Sequence, residues 1–231
     1  MFIFYSFSLL LTGAIYTIFH RKVLTIMLFI LFLIFVVWFT YERTKASRIE
    51  KHNKDLFWQR ENEANNTRKK NLDLLKYVEI PNELFPDALS SKIPSDDEEI
   101  SRCSSILKDL QSKRILNLTG KTTTDLKYEY GPANLAMLDE YDSNFTLFAK
   151  TIYAYGEQLH KLGFDREAMK VLRFGIDSLS DISGNYKLLA SLYLKYGERE
   201  KIDELKKIAG SLDSLMKNSI LRTLDDINLS L

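Results

Sequence analysis

Three histidines, one cysteine and a run of four carboxylates are the residues of this 231-residue chain whose types could do chemistry. Imidazoles and a thiolate would hold a metal, or supply a general base and a nucleophile, if the fold brought them together. Their spacing forms no such cluster: His20, His52 and His160 fall in different regions, and Cys103 has no neighbouring histidine to activate it. Asp96, Asp97, Glu98 and Glu99 stand at an expected helix start, where the helix dipole favours negative charge without any catalytic task. A phosphate-cradling glycine loop, a Walker motif and a dinucleotide fingerprint are all missing from the sequence. The chain is therefore expected not to be an enzyme, and to use no cofactor and no metal. The single cysteine also cannot close an internal disulfide.

The elements that would carry any function divide sharply by charge. Lys and Arg number 32 against 31 Asp and Glu, a balance that gives no drive toward nucleic acid. Within residues 1–41, however, the charged side chains are Arg21 and Lys22 alone. Residues 23–41 form an uncharged apolar run of 19, long enough to cross a hydrocarbon core of about 30 Å as a helix rising about 1.5 Å per residue. Trp38 and Tyr41 close it, where amphipathic rings favour the interface. Residues 2–19 are uncharged too, though Ser6, Ser8, Thr12, Gly13 and Thr17 make them less apolar. Only His20, Arg21 and Lys22 separate the runs, so a tight hairpin is expected, with one span and an interfacial first segment as the alternative. Arg43, Lys45, Arg48, Lys51 and Lys54 come after the second run. This basic flank places the soluble part on the cytoplasmic side of a cell membrane and could contact anionic lipid, at about 1 kcal/mol per residue.

Residues 42–77 lack Pro and Gly and are dominated by polar side chains, which suits a helical stalk; Leu56, Phe57 and Trp58 in it could dock a partner or pack back on the soluble body. Pro81, Pro86 and Pro94 break any helix over 78–94 and mark a linker. Ser95, three residues before Glu98, forms a capping-box pattern that starts a helix through about Arg114. The stretch 117–131 has no helical period, and Leu126, Tyr128 and Tyr130 alternate with polar residues, so an ordered loop with a strand-like contact is expected. Gly131 and Pro132 start a short helix, and 95–148 as a whole should pack on the segment 149–210. Residues 211–231 supply a terminal capping helix.

Between 149 and 210 the series Gly156, Leu159, Gly163, Ala168 and Gly175 returns in the same order and spacing as Ala190, Tyr193, Gly197, Ile202 and Ala209. Small residues recurring with a period of about 34 residues resemble the tetratricopeptide repeat (TPR) family, pairs of antiparallel helices that stack on copies of themselves. The likeness departs from the family at Ile152 and Tyr186, where Trp is frequent, at the large Ile202, and in lacking the closing proline. It implies an all-α fold and a partner bound on the concave face of the first helices. By the resemblance Lys150, Tyr153, Glu157, His160, Lys187, Ser191 and Leu194 would line that face. Glu157 would repel an acidic chain terminus, so the chain does not look like a chaperone-tail adaptor. The segments ENEANNTRKKNLDLLKY and ILNLTGKTTTDLKYEYG also resemble small membrane-anchored bacterial proteins. Together these features lead to the expectation of a membrane-anchored interaction scaffold for a protein or peptide. The alternative is a structural subunit of a membrane complex assembled through residues 2–41.

Overall fold

The computed structural model describes the backbone of residues 2–229 other than 91 and 95, and side chains from 24 onward other than 25, 91 and 95. Among the described residues every regular element is helical, in line with the all-α expectation. The chain divides into two units, residues 1–61 and 62–231.

The first unit is built on α1 (Phe2–Asn65), a single unbroken helix. The expected hairpin is not formed, because the backbone stays helical through His20, Arg21 and Lys22. None of the three is a glycine or proline, and a chain reversal needs a residue that leaves helical geometry cheaply. Among the described residues one helix, over Ile26–Asn65, is long and apolar enough to cross a membrane. Its large apolar side chains from Leu24 to Tyr41 are exposed, as are Ile49, Leu56, Phe57 and Trp58 further on. The Phe57 and Trp58 rings meet edge to face at 5.5 Å.

The helical stalk ends at Asn65, short of the expected 77. Asn66 Nδ2 donates to the Asn62 carbonyl at 2.9 Å and Thr67 Oγ1 to that of Glu63 at 3.3 Å, adding side-chain bonds to carbonyls of the last turn that also accept from the Asn66 N–H. Beyond it the backbone is claimed by the second unit: the Lys70 N–H donates to Tyr130 at 3.0 Å, and Asn134 Nδ2 donates to the Lys70 carbonyl at 2.8 Å. Leu72 is buried there with Leu116, Leu118 and Leu138 in a small second core.

The remaining α-helices are the single turn α2 (Pro86–Leu89), α3 (Glu98–Gln111), α4 (Thr123–Tyr130), α5 (Leu135–Lys161), α6 (Asp165–Asp177), α7 (Ser183–Lys195), α8 (Glu200–Ser211) and α9 (Lys217–Leu229). Ser95 lies outside the described residues; the cap of α3 is Asp97, whose side chain accepts from the Ile100 N–H at 2.9 Å. In place of a strand-like loop stands α4, opened by a reciprocal capping box of Thr122 and Asp125. Leu126 and Tyr130, one turn apart, face the second core while Tyr128 stays exposed. The short helix expected after Pro132 is a 3-10 turn, Pro132–Asn134, that leads directly into α5, and the terminal helix starts at Lys217 instead of 211.

Helices α3, α5, α6 and α7 pack in succession, and α9 closes the series against α7 and α8. Ile100, Leu107 and Leu110 of α3 share one core with Phe148, Ile152, Leu172, Tyr186, Leu189, Leu205 and Leu224. Each such burial stabilises the fold by about 1.5–3 kcal/mol before conformational entropy is counted.

Two turns set the helix pairs. Gly163 (φ +86°) ends α5 and Gly197 (φ +73°) ends α7, both in the left-handed region that strains a residue bearing a Cβ. Around the first, the Phe164 N–H donates to Leu159 at 2.9 Å and that of Gly163 to His160 at 3.0 Å. Around the second, Glu198 donates to Tyr193 at 2.8 Å and Gly197 to Leu194 at 3.1 Å. These are the same two bonds, shifted by 34 residues. Where α5 meets α6, a Cβ on Gly156 would sit 2.6 Å from Leu172 and one on Gly175 2.7 Å from Ile152. The small residues are what lets these helices approach.

Candidate partner-binding surface

The Tyr153 ring brings α5 and α7 side by side: a Cβ on Gly184 would meet it at 2.6 Å. From this contact the helical spacing of three and four residues generates two rows, Lys150, Tyr153, Glu157 and His160 on α5, and Lys187, Ser191 and Leu194 on α7. Lys150, Lys187 and Ser191 are exposed, with the Ser191 hydroxyl turned back onto the Lys187 carbonyl at 2.9 Å. Leu194 is half-buried against the main core.

Tyr153 and Glu157 are committed locally. The Tyr153 hydroxyl donates to Glu157 Oε1 at 3.1 Å, and Lys161 Nζ donates to Oε2 at 2.8 Å. The bond from Lys161 holds the Glu157 carboxyl below its ordinary pKa, against a burial effect of opposite sign. Burial, and then the bond to Glu157, push the Tyr153 phenol up. The charge of Glu157 is thus countered within its own helix.

His160 is committed to the start of the next helix. Its Nδ1 lies 2.6 Å from Oδ1 of Asp165, the first residue of α6. Asp165 is buried and also accepts from Lys195 Nζ at 2.5 Å and the Tyr196 hydroxyl at 2.9 Å. Burial opposes the charge, yet the bonds from Lys195, His160 and Tyr196 outweigh it and hold Asp165 at about 2. Three helices are joined through one carboxylate. Sequence reasoning missed this junction; its available signal was an acid placed directly after a glycine turn, which also reads as an ordinary first-turn carboxylate.

Among the described residues no three His, Cys, Asp or Glu side chains converge as a metal would require. Cys103 is fully buried in the core, and burial raises its thiol to about 12, so it is not a reactive nucleophile. Arg43, Lys45, Arg48, Lys51 and Lys54 are all exposed on α1, and their spacing spreads them around the helix without forming a single stripe.

No family model matches the chain, and no curated protein or solved structure is significantly similar to it.

Proposed function

We propose that this chain is a membrane-anchored scaffold whose helical body, with two TPR-like units, binds a protein or peptide partner on the face of α5 and α7. The observation that carries this reading is the recurrence of one hydrogen-bonded glycine turn, first at Gly163 and again at Gly197. Stacked helix pairs of that kind present first-helix rows as a binding surface, and here Lys150, Lys187 and Ser191 stand exposed on those rows. Helix α1 acts as the anchor with 23–41 as a single span, and its basic flank keeps the body on the cytoplasmic side of a bacterial membrane, where anionic lipid aligns it.

Reversing the charge of both Lys150 and Lys187 in the full-length protein leaves its thermal stability unchanged and abolishes co-purification of the partner from solubilised membranes. Unchanged capture moves binding off this face. The exposed apolar side chains of 24–41 favour a second reading, a subunit that assembles with other spans. Replacing the apolar residues of 24–37 by a run of leucine that keeps the span separates the two, since only intramembrane assembly reads the identity of those side chains. For the side of the membrane, a Thr123→Cys probe in a Cys103→Ser background replaces the buried native thiol, and labelling by an impermeant maleimide only after permeabilisation is the expected result.

A further inference from the structure

Helices α6, α7 and α8 line a recess of about 370 Å³ away from the seven residues of the first-helix rows. Arg166, Lys170 and Arg173 enter it at helical spacing along α6, Tyr193 and Tyr196 from the end of α7, and Lys201 from α8. Two of these cations are already paired. Arg173 donates to Asp177 at 2.9 Å and to Glu204 at 3.1 Å, while Lys201 donates to Glu198 at 2.8 Å and lies 5.3 Å above the Tyr193 ring. Arg166 and Lys170 are exposed and have no ion-pair partner among the described residues.

Arg166 and Lys170 stand one helical turn apart beside the half-exposed Tyr196 ring, over a floor formed by the buried Tyr193. We propose that this recess receives an acidic segment of the partner protein, with carboxylates on Arg166 and Lys170 and the intervening chain lying across the two tyrosines. Charge complementarity selects the occupant: Arg173 and Lys201 are balanced by Asp177, Glu204 and Glu198, which leaves Arg166 and Lys170 as two cations without an ion-pair partner among the described residues. A flexible chain can enter and reach the half-buried Arg173, whereas a planar bilayer surface meets only the rim. This inference rests on the scaffold reading and adds to it the chemistry of the partner and a second contact.

The test uses the full-length protein in neutral detergent and a fluorescein-labelled peptide of alternating Glu and Ala, followed by anisotropy. The wild type binds, and added salt weakens binding. Arg166→Glu with Lys170→Glu weakens it about tenfold or more, as charge reversal at a docking patch does. The same charge change at Lys150 and Lys187 leaves peptide binding within about twofold, although it abolishes partner capture. A thermal melt checks folding, and Arg166→Gln with Lys170→Gln serves if the reversal does not fold. Equal loss in both charge variants, or no binding by the wild type, overturns the proposal. So does binding of soluble glycerophosphoserine that the Arg166/Lys170 variant loses when the peptide does not bind, an outcome that assigns the patch to lipid headgroups.

Discussion

Asp165 and Arg199 occupy the same place after the two glycine turns, each two residues beyond its glycine, and each ties its hairpin to the end of a later helix. Asp165 reaches Lys195 and Tyr196 at the end of α7; Arg199 Nε donates to Asn228 Oδ1 at 2.8 Å near the end of α9, with a second bond to the Asn228 carbonyl. The surroundings differ. The Asp165 side chain is 5% exposed and gathers three partners from α5 and the end of α7, while Arg199 is exposed and meets a neutral amide. Identical turn geometry therefore carries unequal energetic weight, because a charge-assisted bond strengthens as water is excluded. The inner junction fixes how the pairs stack, and the outer one only trims the terminal helix.

The largest effect expected from this contrast is at Asp165. Replacing it with Ala lowers the stability of the full-length protein by about 2 kcal/mol, a value reduced from the sum of its charged hydrogen bonds because Lys195 and His160 return partly to water. The depressed carboxylate adds a pH signature. Its folded pKa of about 2 lies below the ordinary 3.8, so its contribution is complete above about pH 4 and is lost as pH falls through about 2. Thermal melts between pH 5 and 2 should therefore fall more steeply for the wild type than for Asp165→Asn. Next come the turns themselves: Gly163→Ala and Gly197→Ala each cost about 1 kcal/mol, from positive φ alone, since a Cβ at either meets nothing within 4 Å. Equal costs there sharpen the view that the backbone of the two turns is shared. The smallest effect, under about 0.5 kcal/mol, is expected for Arg199→Ala. A loss matching that of Asp165→Ala breaks the comparison.

Much of the helical content was legible because it is written locally. Gly163 and Gly197 declare their turns, Pro81, Pro86 and Pro94 exclude a helix, and the apolar run of 23–41 needs no tertiary information. What escaped depends on partners distant in sequence. Nothing in 66–77 reveals that the Lys70 backbone will pair with Tyr130 and Asn134, so the stalk was expected to run on past Asn65. The alternation of Leu126, Tyr128 and Tyr130 imitates a strand, although the Thr122 and Asp125 pair already held the capping signal that decided for α4. The hairpin failed for a different reason: a short charged break between apolar runs suggests a reversal, but His20, Arg21 and Lys22 contain no residue that forces one. Of the candidate surface, the two rows are those the TPR resemblance implies, while the burial of Asp165 under Lys195 and Tyr196, which draws His160 to it, depends on contacts with the end of α7 that no local pattern encodes.

The central claim, that the face of α5 and α7 holds a protein partner at the membrane, is tested most directly by photo-cross-linking in native membranes. A benzophenone side chain is placed in turn at Lys150, at Lys187 and, as a control on α9, at Asn218, all three exposed. The account requires the same adduct with a second protein at both Lys150 and Lys187 and none at Asn218. Absence of adducts at the first two positions, or equal adducts at all three, would contradict it.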